Sequence, residues 1–78
     1  MKNVTIYSTP TCSYCKAAKA FFKEHNVAYT EKDVAGDAAV RAEMVEKSGQ
    51  MGVPIILVDA DMIVGFDEGR LKQLLAIA

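Results

Sequence analysis

The run Ile55-Ile56-Leu57-Val58 is apolar at every position, which is typical of a central strand that is covered on both faces. Pro54 comes directly before it, and a proline is tolerated at the first residue of a strand. Only Asp59-Ala60-Asp61 separates this run from Met62-Ile63-Val64. Because three residues cannot carry a parallel crossover, the second run must return antiparallel. A strand of this kind requires helices on both faces of its sheet.

The chain before this hairpin begins with a strand-like and a helix-like segment. Val4-Thr5-Ile6-Tyr7 is β-branched and aromatic and predicts a first strand. From residue 14 to residue 25, apolar positions recur at helical spacing and predict an amphipathic helix. We expect Thr11 to cap the start of this helix and Asn26 to be left-handed just past its end. The predicted apolar stripe of the helix comprises Tyr14, Ala17, Ala18 and Phe21.

Two further helices and one strand complete the predicted order. Residues 27–34 alternate loosely as a second strand, and a second helix follows, capped by Asp37 and stopped by Gly49. Asp67 caps a third helix. The residues expected to bury these two helices are Val40, Met44, Val45, Leu71, Leu74, Leu75 and Ile77. The sequence therefore predicts an α/β fold of order βαβαββα, with a four-stranded mixed sheet flanked by three helices.

Size and charge exclude several classes of function. With 78 residues, 51% of them hydrophobic, the chain has room for one core, and we expect one domain over residues 1–78. Nine Lys plus Arg against ten Asp plus Glu leave a net charge of −1, too small a field to attract nucleic acid or an anionic membrane. No apolar run approaches the roughly 18 residues of a membrane-spanning helix. We therefore expect a cytoplasmic monomer that binds neither nucleic acid nor membrane.

Cys12 and Cys15 stand three positions apart, where the first strand gives way to the first helix. A disulfide between two cysteines so close cannot link distant parts of the chain, so we expect the pair to have a chemical role. The start of a helix presents unpaired N–H groups and a positive dipole end to Cys12, which favours the thiolate that attacks disulfides. Lys16, four residues on, adds positive charge. Cys15 lies nearly one turn deeper and is the natural resolving thiol.

Two other uses of these cysteines stay open. Free cysteines are common in protein cores, so both could be inert. A Cys pair at this spacing is also half of a zinc site, but the one further strong ligand, His25, lies about 15 Å from Cys15 along the same helix. One chain cannot complete a tetrahedron, and we predict no metal ligands. Two chains could still share a zinc ion or an iron–sulfur cluster, which is a binding function rather than a catalytic one.

Three short segments frame the predicted site: Cys12-Ser13-Tyr14-Cys15 after a strand, Val53-Pro54 before the third strand, and Gly65-Phe66-Asp67 before the last helix. In this order they resemble the glutaredoxin family. The segment from Ser48 to Pro54 is also similar to that of bacterial glutaredoxin-like proteins. The resemblance covers essentially the whole chain. It implies a thioredoxin fold and a thiol–disulfide oxidoreductase in which Cys12 and Cys15 are catalytic.

The resemblance also implies a site for glutathione and for thiol peptides. The Val53-Pro54 bond is expected to be cis, with the Val53 backbone turned outward to pair with a bound peptide. Backbone N–H groups around Phe66 and Asp67 are expected to hold the γ-glutamyl carboxylate of glutathione. A plain helix cap explains Asp67 equally well. The predicted substrate-binding residues are Tyr14, Val53, Pro54, Gly65, Phe66 and Asp67.

Several positions depart from the family pattern. Ser13 stands where proline is usual, and Thr9 replaces a lysine that often meets glutathione. Gly52 stands where threonine is common, and Val64-Gly65 replaces a Gly-Gly pair. These changes remove a charge contact and a side-chain contact near the thiol.

The function that follows is reduction of protein disulfides or glutathione mixed disulfides, with glutathione as co-substrate and no bound cofactor. Gly65-Phe66 also resembles the Gly-Phe pair of redoxins that thioredoxin reductase reduces and that supply electrons to ribonucleotide reductase. That redoxin function is the alternative, and a bridging metal- or cluster-binding protein is a third.

Overall fold

The computed structural model describes residues 3–50 and 52–77. Its elements follow the predicted order: β1 (Val4–Ser8), α1 (Ser13–Glu24), β2 (Thr30–Asp33), α2 (Ala38–Ser48), β3 (Ile55–Val58), β4 (Asp61–Val64) and α3 (Glu68–Leu75). The second strand is shorter than predicted. Val27 and Tyr29, which precede it, pack against the hydrophobic core instead of pairing in the sheet.

The four strands form one mixed sheet in the order β2-β1-β3-β4. β1 runs parallel to β2 and antiparallel to β3, which pairs antiparallel with β4. The predicted hairpin is confirmed, and its loop is only two residues long because Asp61 already pairs with Val58. Asp59 makes this tight turn with a φ of 51°. The arrangement leaves β1 and β3 in the centre of the sheet.

Helices cover the sheet on both faces, as the apolar third strand predicted. On one face, Ile6 of β1 and Ile56 of β3 meet side chains of α1 and α3. On the other face, Tyr7 and Ile55 meet Met44 of α2. Successive residues of a strand point to opposite faces, so each central strand contributes to both cores.

The buried face of α1 differs from the prediction. Tyr14 is 68% exposed and Ala17 is also exposed. The residues that α1 buries are Cys15, Ala18, Phe21 and Phe22. The prediction left Cys15 out of the apolar stripe, although a free cysteine buries like a small apolar residue. When Cys15 is included in the apolar stripe, the predicted buried face of α1 rotates away from Tyr14.

The helix ends follow the sequence signals with one exception. Asp37 caps α2 and Asp67 caps α3, while Gly49 ends α2 with a φ of 74°. Asn26 has the predicted left-handed conformation. The cap of α1 is Cys12 and not Thr11. Within the described ranges, none of the helices has the length and apolar content of a membrane span.

We predict that Phe22→Ala lowers the free energy of unfolding by about 3–5 kcal/mol, because it opens a cavity where α1 and the sheet meet. Tyr14→Ala is the matched control on the same helix, and its exposed ring should change stability by less than about 0.5 kcal/mol. Chemical denaturation monitored by circular dichroism measures both. Equal losses in the two variants would contradict this packing.

Candidate active site

Cys12 occupies the junction between β1 and α1, and its sulfur is the N-cap of the helix. Its Sγ accepts a hydrogen bond from the backbone N–H of Cys15 at 3.2 Å. The side chain is half-buried, so solvent still reaches it. A thiolate accepts such a hydrogen bond more strongly than a neutral thiol does, and it also gains from the positive end of the helix dipole. The helix start therefore offers this sulfur a hydrogen-bond donor and the positive end of a dipole.

Cys15 lies on the first turn of α1 and is completely buried. The pKa of the Cys15 thiol is raised to about 11. Burial is the largest cause, and the hydrogen bond to Cys12 is the next. Both cysteines are free thiols. The pair thus combines an accessible outer sulfur with an inner sulfur that stays protonated at neutral pH, as an attacking and a resolving thiol require.

Val53 and Pro54 border the outer thiol. The peptide bond between them is cis, as the resemblance implied. The carbonyl oxygen of Val53 lies 4.0 Å from Sγ of Cys12, and the next residue, Pro54, is fully buried. The Val53 backbone is therefore next to any group that is bound to the Cys12 sulfur. Its pairing with a peptide stays a prediction.

The third predicted segment is tied to the second by a backbone hydrogen bond. The N–H of Gly65 donates to the carbonyl oxygen of Pro54 at 2.8 Å, and Gly65 has a φ of 88°. Phe66 turns inward, and its ring lies 5.9 Å from that of Phe21. Asp67 accepts a hydrogen bond from the backbone N–H of Arg70 at 3.1 Å, so its carboxylate caps α3. Glutathione binding by Phe66 and Asp67 stays a prediction.

The structure thus brings Cys12, Cys15, Val53 and Pro54 together, with Gly65 attached through the backbone. Tyr14 directs its ring into solvent from the first turn of α1. An exposed ring two residues from Cys12 is compatible with the predicted contact to a bound tripeptide, because such a ring offers apolar area without rearrangement.

A polar cluster near Cys15 was not predicted from the sequence. Glu31 of β2 accepts hydrogen bonds from Lys19 Nζ at 2.9 Å and from Ser8 Oγ at 3.1 Å. The predicted apolar stripe of the helix leaves Lys19 out, but only 20% of its side chain is exposed. The available signal was spacing, since a residue four positions after Cys15 lies on the same helix face.

Among the residues that the structure describes, no group of three or more His, Cys, Asp or Glu side chains is arranged to hold a metal ion.

An accessible thiol at a helix start, backed by a buried thiol one turn deeper, defines a dithiol redox protein. The glutaredoxin family model matches residues 4–63. Glutaredoxin 3 of Escherichia coli (strain K12) is 44% identical over 68 residues, which cover 87% of this chain and 82% of that protein. An uncharacterized glutaredoxin-like protein of Clostridium pasteurianum is 42% identical over 72 residues, covering 92% and 96%. The chain belongs to the glutaredoxin family, whose members are thiol–disulfide oxidoreductases.

Solved structures confirm the thioredoxin fold. The thioredoxin-like protein BC3987 is 35% identical, with a TM-score of 0.86 over 92% of this chain and 99% of that one. A buckwheat glutaredoxin solved with glutathione is 22% identical, with a TM-score of 0.75 over 99% and 83%. NrdH-redoxin of Escherichia coli is 21% identical, with a TM-score of 0.81 over 92% and 93%. The last two likenesses establish the fold alone.

Alkylation separates the two thiols. At neutral pH we expect iodoacetamide to modify Cys12 alone in the folded protein, because Cys15 is buried and its pKa is raised to about 11. Unfolding in denaturant should expose both sulfurs and add a second adduct. Mass spectrometry of the digested protein locates each one. Modification of both cysteines at one rate in the folded state would show that Cys15 is not protected.

Proposed function

We propose that this protein reduces protein disulfides or glutathione mixed disulfides, with glutathione as the source of electrons. The observation that carries the proposal is the cap of α1, where Sγ of Cys12 is both the end of the helix hydrogen-bonding pattern and open to solvent. One chain holds both thiols, so we propose that the active form is a monomer. A cytoplasmic location suits two thiols that must stay reduced to act.

The reaction proceeds in two exchanges. The Cys12 thiolate attacks one sulfur of the substrate disulfide and forms a mixed disulfide, and the other substrate sulfur leaves as a thiolate that takes a proton from water. Cys15 then loses its proton and attacks Sγ of Cys12. The bond between the two cysteines forms, the bond to the substrate breaks, and the substrate leaves fully reduced. Two glutathione molecules restore the thiols and become one glutathione disulfide.

Two features of the site support glutathione as the donor. α3 begins at Glu68 just after Gly65-Phe66-Asp67, and a helix N-terminus is a ready anion site for a carboxylate. Tyr14 offers an exposed ring two residues after Cys12, on the first turn of α1. The similar buckwheat glutaredoxin was solved with glutathione. Thr9 stands where a lysine that contacts glutathione is usual, and the loss of that charge counts against tight binding of glutathione.

The second candidate is a redoxin that thioredoxin reductase reduces and that passes electrons to ribonucleotide reductase. Gly65-Phe66 and the likeness to NrdH-redoxin, whose activity profile is described as thioredoxin-like, favour this candidate. The thiol chemistry is the same in both cases. Only the donor differs, and the surface around Cys12 selects it.

A coupled assay with the two donors in parallel decides between them. We expect turnover of a mixed disulfide of glutathione with NADPH, glutathione and glutathione reductase, followed as loss of NADPH absorbance. Thioredoxin reductase with NADPH should give much slower turnover. The opposite ranking would make the redoxin function correct. A Cys12→Ser control measures the reaction of free glutathione with the substrate.

Substitution of each cysteine tests the assigned roles. Cys12→Ser should abolish all exchange, since no other accessible sulfur can attack. Cys15→Ser should stop or slow the reduction of protein disulfides and leave removal of glutathione from protein thiols intact, because glutathione itself can resolve that intermediate. Mass spectrometry should detect the mixed disulfide trapped on Cys12. Full activity of Cys12→Ser would overturn the assignment.

A further inference from the structure

The resolving step poses an electrostatic problem that the two cysteines do not solve alone. Cys15 has to become a thiolate to attack, yet it is completely buried, and burial raises its pKa to about 11. Desolvation penalises the charged form of a buried group unless a neighbouring charge or donor compensates. This inference rests on the proposed dithiol reaction, because a single-thiol reaction would not use Cys15.

The charged and polar groups that face Cys15 come from three elements. On α1 these are Cys12 and Lys19, and just after β1 the backbone of Thr9 acts on the Cys15 sulfur. Thr9 and Lys19 both favour the thiolate, whereas Cys12 disfavours it. On β2, Glu31 neutralises some of the Lys19 charge, and the nearby groups that act on this pair are Tyr29 and Asp33. Lys19 is therefore a cation that acts on the inner thiol.

Lys19 is held in place, unlike the other lysines of α1. Its Nζ lies 2.9 Å from Oε2 of Glu31, and 20% of its side chain is exposed. The same carboxylate oxygen accepts a hydrogen bond from Ser8 Oγ at 3.1 Å, and Ser8 is only 1% exposed. Lys16 and Lys23 lie exposed on the same helix. A fixed, partly desolvated ammonium acts more strongly on a neighbour than a mobile surface charge, which water and salt screen.

The position of the Lys19 ammonium depends on the sheet as much as on the helix. Lys19 lies one turn after Cys15 on α1, whereas Ser8 and Glu31 belong to the parallel strands β1 and β2. The hydrogen bonds to Glu31 therefore join the helix to the two strands beneath it. Residues four positions apart lie on the same face of a helix, so the anchored Lys19 side chain and Cys15 share one side of α1.

We propose that Lys19 is a positioning residue for the resolving step, whose fixed charge stabilises the Cys15 thiolate as it attacks the mixed disulfide at Cys12. In that step the proton of Cys15 passes to water. A bond forms between the sulfurs of Cys15 and Cys12, and the bond between Cys12 and the substrate sulfur breaks. The substrate sulfur leaves with the electron pair, so Cys15 is oxidised and the substrate is reduced. Lys19 exchanges no proton and touches no substrate.

A single-turnover reaction with the aromatic disulfide of 5-thio-2-nitrobenzoate resolves the two exchanges. Attack by Cys12 releases the first coloured thiolate at a rate that depends on reagent concentration. Attack by Cys15 releases the second at a rate that does not. We expect Lys19→Met to slow the second release about tenfold at neutral pH, as the thiolate fraction of Cys15 falls. The pH midpoint of that phase should rise, and the first release should stay unchanged.

Three further variants complete the test. Lys19→Gln keeps a donor for Glu31 but removes the charge, and it should behave like Lys19→Met. Lys19→Arg keeps the charge and should restore most of the wild-type rate. Lys23→Met removes an exposed lysine from the last turn of the same helix and should change neither phase. Circular dichroism and thermal unfolding verify that each variant is folded.

The outcomes separate this inference from the function on which it rests. A second release in Lys19→Met and Lys19→Gln that matches the wild type in rate and pH midpoint overturns the role of Lys19 and leaves the dithiol reaction standing. Equal slowing of both releases also overturns it, because the effect is then not specific to Cys15. A wild-type protein that gives the first release but no second overturns the dithiol function and this inference together.

Discussion

The structure depends on burial of the two central strands from both sides. β1 and β3 each send alternate side chains into separate cores, one shared with α1 and α3 and the other with α2. A shift of one residue in the pairing of these strands would exchange the two sets of side chains. The register is therefore strongly fixed, and with it the level at which each strand ends. Cys12 follows the end of β1 and Pro54 precedes the start of β3, so the antiparallel pairing places them at one edge of the sheet.

At that edge, two backbone groups lie next to the reactive sulfur. The N–H of Cys15 points at Sγ of Cys12, and the carbonyl of Val53 lies beside it. The role proposed for Lys19, a long charged side chain, lies at the deeper level of the buried thiol. The division is physically reasonable, because an open thiol must admit substrates of many shapes, whereas an enclosed one meets a single partner, Cys12. A helix terminus stabilises charge without blocking access.

The order of the elements could be predicted because strand and helix periodicities are local properties of the sequence. The same holds for the caps at Asp37 and Asp67 and for the left-handed Gly49. The sequence predicts Thr11 as the cap of α1 because hydroxyl side chains are the commoner caps. The structure has Cys12 in this role, a residue whose thiol was expected to act only as a nucleophile. The contact of Lys19 with Glu31 spans 12 residues and depends on how α1 lies on the parallel pair β1 and β2. No local pattern encodes that packing angle. The binding roles of Tyr14, Phe66 and Asp67 depend on a bound ligand and stay predictions.

The cap formed by Cys12 has a thermodynamic consequence for the redox couple. A sulfur with negative charge is a strong acceptor for the first N–H groups of a helix, whereas the same sulfur in a disulfide with Cys15 is neutral and a weak one. When Cys12 is a thiolate, the helix start is therefore held more tightly in the reduced state than in the disulfide state. In a cycle that connects folding with oxidation, any extra stability of the reduced form makes the reduction potential less negative. The first turn of one short helix thus biases the direction in which electrons flow through this protein.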